Sequence, residues 1–160
     1  MPRGPKQRVG FDVAAAMDRA LPGVVTASTD EWVEVRPDRV VDAMRWLHDD
    51  PEMDAATISN MCGVDRYDHF EVVYHLQSLD LNQQIVVKTR IHNHEAPSMQ
   101  SAYPVYSGAL LQEREVYDLM GIRFEGHPKP VKLLLSEPFE GQPLRKDFPL
   151  MTREVKPWPG

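Results

Sequence analysis

Three groupings in this 160-residue chain carry side chains able to do chemistry, and each points to a different kind. The first is His92-Asn93-His94-Glu95. Residues two apart on a strand share a face, so two imidazoles and a carboxylate there could hold a divalent metal. The stretch falls at a strand end, however, and no second cluster with the helical spacing HExxH accompanies it, which favours a solvated loop. The second is Cys62, the only cysteine, with six histidines in the sequence as possible bases. Strand alternation over Ala56–Val64 sets Ile58, Asn60, Cys62 and Val64 on one face. No base or oxyanion site is evident beside it, so a small strand cysteine is expected rather than a nucleophile. A lone cysteine also excludes an internal disulfide and an all-protein, cysteine-ligated iron–sulfur or structural zinc site. The patterns GxGxxG, GxxxxGK[ST] and GxSxG do not occur, leaving no local support for a phosphate cradle or a nucleophile elbow.

The third grouping is Glu113-Arg114-Glu115 with Asp118, on a helix expected over Ser107–Met120 and closed by Gly121. Arg114 and Asp118 are four apart, but in the less favourable order for an isolated helix. Leu110, Leu111, Val116, Tyr117, Leu119 and Met120 spread apolar groups around most of the circumference, which predicts more than one neighbour. Charges on such a helix become desolvated and paired across contacts. Beyond it, Gly126-His127-Pro128 and Gly141-Gln142-Pro143 read as tight turns. Val131–Leu135 is apolar with no partner of its own in the arm. Arg145-Lys146-Asp147 offers a forked guanidinium followed by Phe148, and arginine with aromatic residues is what interface centres are enriched in. The strip from Glu113 to Leu150 is therefore poorly suited to building a private core and well suited to lying across another protein.

The elements that must position these groups follow from periodicity. A first helix is expected from about Asp12 to Leu21, with Val13, Met17, Ala20 and Leu21 on one face and Pro22-Gly23 as its stop. Short strands follow at Val24–Ser28 and Trp32–Arg36. A second helix starts at Pro37, buries Val40, Met44 and Leu47, and stops at Asp49-Asp50-Pro51. Phe70–Gln77 and Gln84–Ile91 alternate and make a hairpin with one buried and one mixed face. Asn93–Ser101 reads as a polar connection. Seven of the fourteen prolines lie in the last quarter, so long regular elements are not expected there. The predicted fold is α+β: a mixed, mainly antiparallel sheet with helices on one face, then a helix and an extended proline-rich C-terminal arm. The expected division is a loose tail at 1–10, an α+β domain at 11–106, and a helix with docking arm at 107–160.

A hydrophobic content of 42%, a charged content of 26% and a net charge of −6 describe an ordinary globular chain and argue against nucleic-acid binding. No apolar run approaches the ~20 residues that span a bilayer. The basic residues Arg3, Lys6 and Arg8 are expected to belong to a frayed terminus.

Taken together, several short patterns resemble the 30-kDa subunit family of respiratory complex I, the proton-pumping NADH–quinone oxidoreductase. The residues concerned are Glu113-Arg114-Glu115, Asp118, Gly121-Ile122, Phe124, Gly126-His127-Pro128 and Gly141 through Pro149. Cys62-Gly63-Val64-Asp65 and Phe70 through Leu76 match the family's strand region as well. Lys129-Pro130-Val131-Lys132 departs from the leucine and paired basic residues usual after the turn, and Leu111-Gln112 stands where an aromatic residue is common just before the helix motif. The departure leaves open the equivalent subunit of a membrane-bound hydrogenase or another-donor dehydrogenase. A free-standing metal enzyme built on His92, His94 and Glu95 is the third reading.

The resemblance implies a hydrophilic subunit with no catalytic residue and no cofactor or metal of its own. NADH, FMN, iron–sulfur clusters and quinone would belong to the parent complex. The implied partners are the 49-kDa subunit at the quinone site and neighbouring iron–sulfur subunits, with peripheral attachment to the cytoplasmic face of the inner membrane through them. The residues expected at the partner interface are Glu113, Arg114, Glu115, Asp118, Phe124, His127, Lys132, Arg145, Lys146, Asp147 and Phe148.

Overall fold

The computed structural model describes residues 4–136 and 139–149. In chain order the elements are β1 (Lys6–Gln7), α1 (Gly10–Ala20), β2 (Val25–Ser28), β3 (Val33–Val35), α2 (Val40–Asp49), β4 (Thr57–Asp65), β5 (Phe70–Ser78), β6 (Gln83–Ile91), β7 (Ser98–Gln100), α3 (Ala109–Met120) and β8 (Arg123–Glu125). The main sheet runs β2-β3-β6-β5-β4, with β1 also paired to β6. Three of its pairings are antiparallel, while β3 and β1 lie parallel to β6. This is the mixed, mainly antiparallel sheet that the alternation predicted.

The hairpin β5–β6 is the backbone of the domain. Phe70, Val72, Tyr74 and Leu76 face inward against Ile85, Val87, Thr89 and Ile91, in a register unbroken from Phe70↔Ile91 to Ser78↔Gln83. Val13 and Met17 of α1 and Val40, Met44 and Leu47 of α2 fill that face. Val116 and Met120 of α3 lie over Gly63, whose register partner is Val72, so α3 packs on the same side. Thr89, fully buried there, donates its hydroxyl to the Val35 carbonyl at 2.9 Å, so no polar atom of its side chain is stranded.

Four details differ from the sequence reading. Residues 6–8 are not loose: β1 pairs with Gln83 and Gln84, and Arg8 donates its N–H to Gln84. The second helix begins at Val40, because Pro37-Asp38-Arg39 is a turn braced by a two-bond Arg36–Asp38 contact at 2.9 and 2.7 Å. A bulge at Ser59 shifts the alternation of β4, so Ile58, Met61 and Asp65 are buried while Asn60, Cys62 and Val64 share the open face. Cys62 therefore does not sit beside Ile58. Finally, the connection 93–101 contains β7, which pairs in parallel with β8 in a second, two-stranded sheet.

That second sheet also changes the organisation beyond the expected boundary at 106/107. Ile122 and Phe124 are buried, and they belong to the same apolar cluster as Phe70 and Met44. The hydrophobic core runs through α3 and ends only where the chain passes Phe124. Leu150 and the residues after it lie outside the described residues, as do Glu137 and Pro138.

Candidate interaction surface

Helix α3 explains the site. Ala109, Glu113, Val116 and Met120 recur at helical spacing and point inward. Gly121 ends the helix with φ +76° and returns its N–H to the Tyr117 carbonyl. A left-handed residue is needed there, and glycine supplies it without a Cβ penalty.

Glu113 is completely buried. Its two carboxyl oxygens accept from the Ser101 hydroxyl and the Ala102 N–H, both at 2.6 Å. Burial nevertheless outweighs these bonds and pushes its pKa up to about 7. The side chain thus ties α3 to the turn after β7, inside the domain. It also lines a cleft of about 270 Å³ with Arg114, Tyr117, Arg123, Phe124, Glu125, His127 and Pro130.

The next turn of the helix holds the arm. Asp118 accepts three consecutive backbone N–H groups, from Leu133, Leu134 and Leu135, at 3.0, 2.8 and 2.8 Å. Burial works to raise its pKa, but the three donors overcome that and hold it below the ordinary carboxylate value. Arg114, one turn earlier on the same helix, grips the chain just before Leu133, donating to the carbonyls of Val131 (3.0 Å) and Lys132 (2.8 Å). His127 donates Nε2–H to the Leu110 carbonyl at 2.9 Å and accepts the Lys129 N–H on Nδ1 at 3.0 Å, which fixes its tautomer.

Further along, Leu144 donates its N–H to the Leu119 carbonyl, and Lys146 donates its N–H to Asp65 at 2.9 Å. Arg145 reaches the His94 carbonyl at 2.9 Å and its Nδ1 at 3.1 Å, and pairs with Asp147 at 3.1 Å. His94 stacks on Phe70 and contacts Asp65 through Nε2 at 3.3 Å. Its ring nitrogens are therefore engaged by protein groups. His92 packs instead beside His69, with ring centroids 5.7 Å apart. The strand-end histidines are not brought into one ligand set.

The interface residues expected from sequence thus divide in two. Glu113, Asp118, Phe124 and His127 are buried within this chain, and Arg114 spends its guanidinium on the arm. Glu115, Lys132, Lys146 and Asp147 are exposed. Arg145 and Phe148 are half-buried; Phe148 stacks on Phe139. Sequence alone did not single out the apolar side chains that α3 and the arm turn outward. Leu111, Val131, Leu134 and Leu144 are 53, 44, 60 and 58% exposed, with Leu133 beside them at 36%. The signal was present as the apolar run Val131–Leu135, whose backbone is held by Asp118 while most of its side chains remain uncovered. Contiguous exposed apolar groups rimmed by charge mark contact sites.

The family model described as respiratory-chain NADH dehydrogenase, 30 Kd subunit, matches residues 33–154. The chain belongs to that family. Among its relatives, the corresponding NADH-quinone oxidoreductase subunit of Roseiflexus sp. (strain RS-1) is 42% identical over 157 residues, covering 92% of this chain and 90% of the relative. The counterpart from Maricaulis maris (strain MCS10) is 43% identical over 145 residues, with 89% and 72% covered. Among solved structures, a trypsin-resistant fragment (1-134) of Nqo5 superposes with a TM-score of 0.59 at 26% identity, over 74% of this chain and 98% of the fragment. A chain of an archaeal membrane-bound sulfane sulfur reductase shares the fold, with a TM-score of 0.70 at 24% identity over 88% and 86% of the two chains. The family match therefore runs through α3 and the pinned arm.

Proposed function

We propose that this 30-kDa family chain is a peripheral-arm subunit of an NADH–quinone oxidoreductase and acts there by position, not by chemistry of its own. The observation that carries this reading is the arm. Asp118 and Arg114 hold it in place, so that Val131, Leu133 and Leu134 stand outward, with Leu111 of α3 and Leu144 further along the arm also exposed. A segment fixed before contact loses little conformational freedom on binding, and a preorganised apolar strip converts its burial into affinity. The partner under this reading is the 49-kDa subunit, with iron–sulfur subunits as further neighbours. NADH, FMN, iron–sulfur clusters and quinone belong to those partners in the parent complex, and electrons pass between them from NADH to quinone. This chain supports that transfer by holding neighbours at a fixed spacing. Among the described residues, no helix is long and apolar enough to cross a membrane. Attachment to the cytoplasmic face of the inner membrane would then run through partners.

Deleting the gene in the source cells and measuring NADH–quinone oxidoreduction in membranes tests the reading. It predicts loss of the activity together with the assembled enzyme, restored by the wild-type chain. Membranes that keep full activity and a complete assembly without this chain would refute it.

A further inference from the structure

We infer that the outer edge of β4 is a second contact with the partner on which the arm rests, completed by an extended strand of that partner added to the sheet. The inference rests on the proposed subunit role and gives one of its contacts a backbone chemistry.

β4 spans nine residues and ends the sheet. It pairs only with β5, and among the described residues no backbone or side-chain group hydrogen-bonds to the backbone on its outer side. In an antiparallel ladder about every second residue turns its N–H and C=O away from the paired neighbour, so roughly four residues of β4 present unmatched groups. Free-standing proteins guard such an edge with lysine, proline, a bulge or inward charge, by covering it, or by keeping it very short. β4 has a bulge between Ile58 and Asn60 and ends on the buried Asp65, but Asn60–Val64 between them holds no charged residue and no proline. The opposite edge is much shorter: β2 has four residues, is likewise broken by a bulge, between Val25 and Ala27, and has the Thr26 hydroxyl drawn to Glu34 at 2.7 Å. The longer edge, neutral between its bulge and Asp65, is β4.

The surroundings select the occupant. A ladder of unpaired N–H and C=O groups is matched by extended backbone, and the uncharged flanking side chains call for a neutral segment. Along the core side of the edge, Gly108, the residue just before α3, lines up with Gln112 and Val116 of the helix, spaced four apart. Gly108 abuts Ile58 and Val116 abuts Gly63, which sets Gln112 between them along the middle of β4. Its Oε1 is shielded from solvent and has no hydrogen-bond partner. A strand arriving at this seam brings the donors the seam lacks. The strip is continuous with the edge: Leu119 holds Leu144, and Asp65 at the end of β4 holds Lys146. One partner can therefore cover both. A second copy of this chain is disfavoured by its net charge of −6.

Amide hydrogen exchange decides the matter, measured on the full-length chain alone and on the complex purified through a tag on it. The expected result is alternate protection over 57–64 in the complex. About half of those amides should slow on the order of 100-fold relative to the free chain, alongside protection of the 131–135 segment. Protection of 131–135 with 57–64 unchanged overturns the strand pairing and leaves the subunit role standing. Protection of 57–64 in the free chain that rises with its concentration assigns the edge to a second copy and overturns it too. Failure to recover any complex removes the subunit role, and the inference with it.

Discussion

Glu113 should make this chain less stable at alkaline pH than at mildly acidic pH. Its folded-state pKa is pushed from 4.5 to about 7 because it is buried beneath α3, with only Ser101 and backbone N–H groups to offset the loss of water. An unfolded glutamate releases its proton near 4.5. Between the two values the folded chain holds more protons than the unfolded one, so stability falls as pH rises through this window and is flat above it. A shift of that size corresponds to about 3 kcal/mol. In Glu113→Gln the amide oxygen can still accept the Ala102 N–H and the NH2 group can donate to the Ser101 hydroxyl, but nothing titrates. Urea unfolding of both chains at pH 5, 6, 7 and 8 is the assay. The variant should match the wild type within about 1 kcal/mol at pH 5 and exceed it by up to about 3 kcal/mol at pH 8. At about 2–4 °C per kcal/mol this is also visible as a melting shift. Parallel pH profiles for the two proteins would refute the claim that Glu113 keeps its proton in the folded state.

Three further outcomes follow from the same contacts. Asp118→Ala removes the acceptor for three N–H groups, worth about 2–4 kcal/mol locally, so trypsin should cut at Lys132 at least ~10-fold faster; an unchanged cutting rate would sink the idea that Asp118 pins the arm. Because that carboxylate's pKa is lowered, its contribution is full above its ordinary value of 3.8 and fades as pH falls below it. Gly121→Ala places a Cβ at φ +76° and 3.1 Å from the Gln142 side chain, and should cost about 1–2 kcal/mol by urea unfolding, whereas no loss would contradict the left-handed cap. Arg145→Ala should weaken co-purification of the partner complex more than Lys6→Ala does, and equal, negligible effects would count against a docking role for the arm.

Much of the fold was legible because its strands are long and alternate cleanly. Phe70 through Leu76 and Ile85 through Ile91 each show one continuous apolar face that had to be buried, and Gly121 could only be a stop. What escaped were features set by partners distant in the chain. The bulge at Ser59 flips Asn60, Cys62 and Val64 to the open face, and no local residue type announces it. Strands β7 and β8 are three residues each, too short to show a period, and exist because they pair with one another. At the interaction surface the resemblance picked out Glu113, Asp118 and His127, but as contacts with another subunit. In the fold they work inside the chain: Glu113 ties α3 to the turn after β7, His127 ties the turn before the arm to the start of α3, and Asp118 holds the segment whose leucines face outward. A sequence shows that a carboxylate sits on a helix, but not that three N–H groups fifteen to seventeen residues later will converge on it.

The central claim is that this chain is a positioning subunit of a larger NADH-oxidising assembly. Affinity purification of the tagged chain from its native membranes in mild detergent, followed by subunit identification and an NADH–quinone assay, tests it most directly. The account predicts that the chain comes down with a 49-kDa-type subunit and iron–sulfur partners, and that the flavin and iron of the active eluate stay with the partners when the chain is stripped from them. Recovery of the chain alone, or of an assembly that does not oxidise NADH, would contradict it.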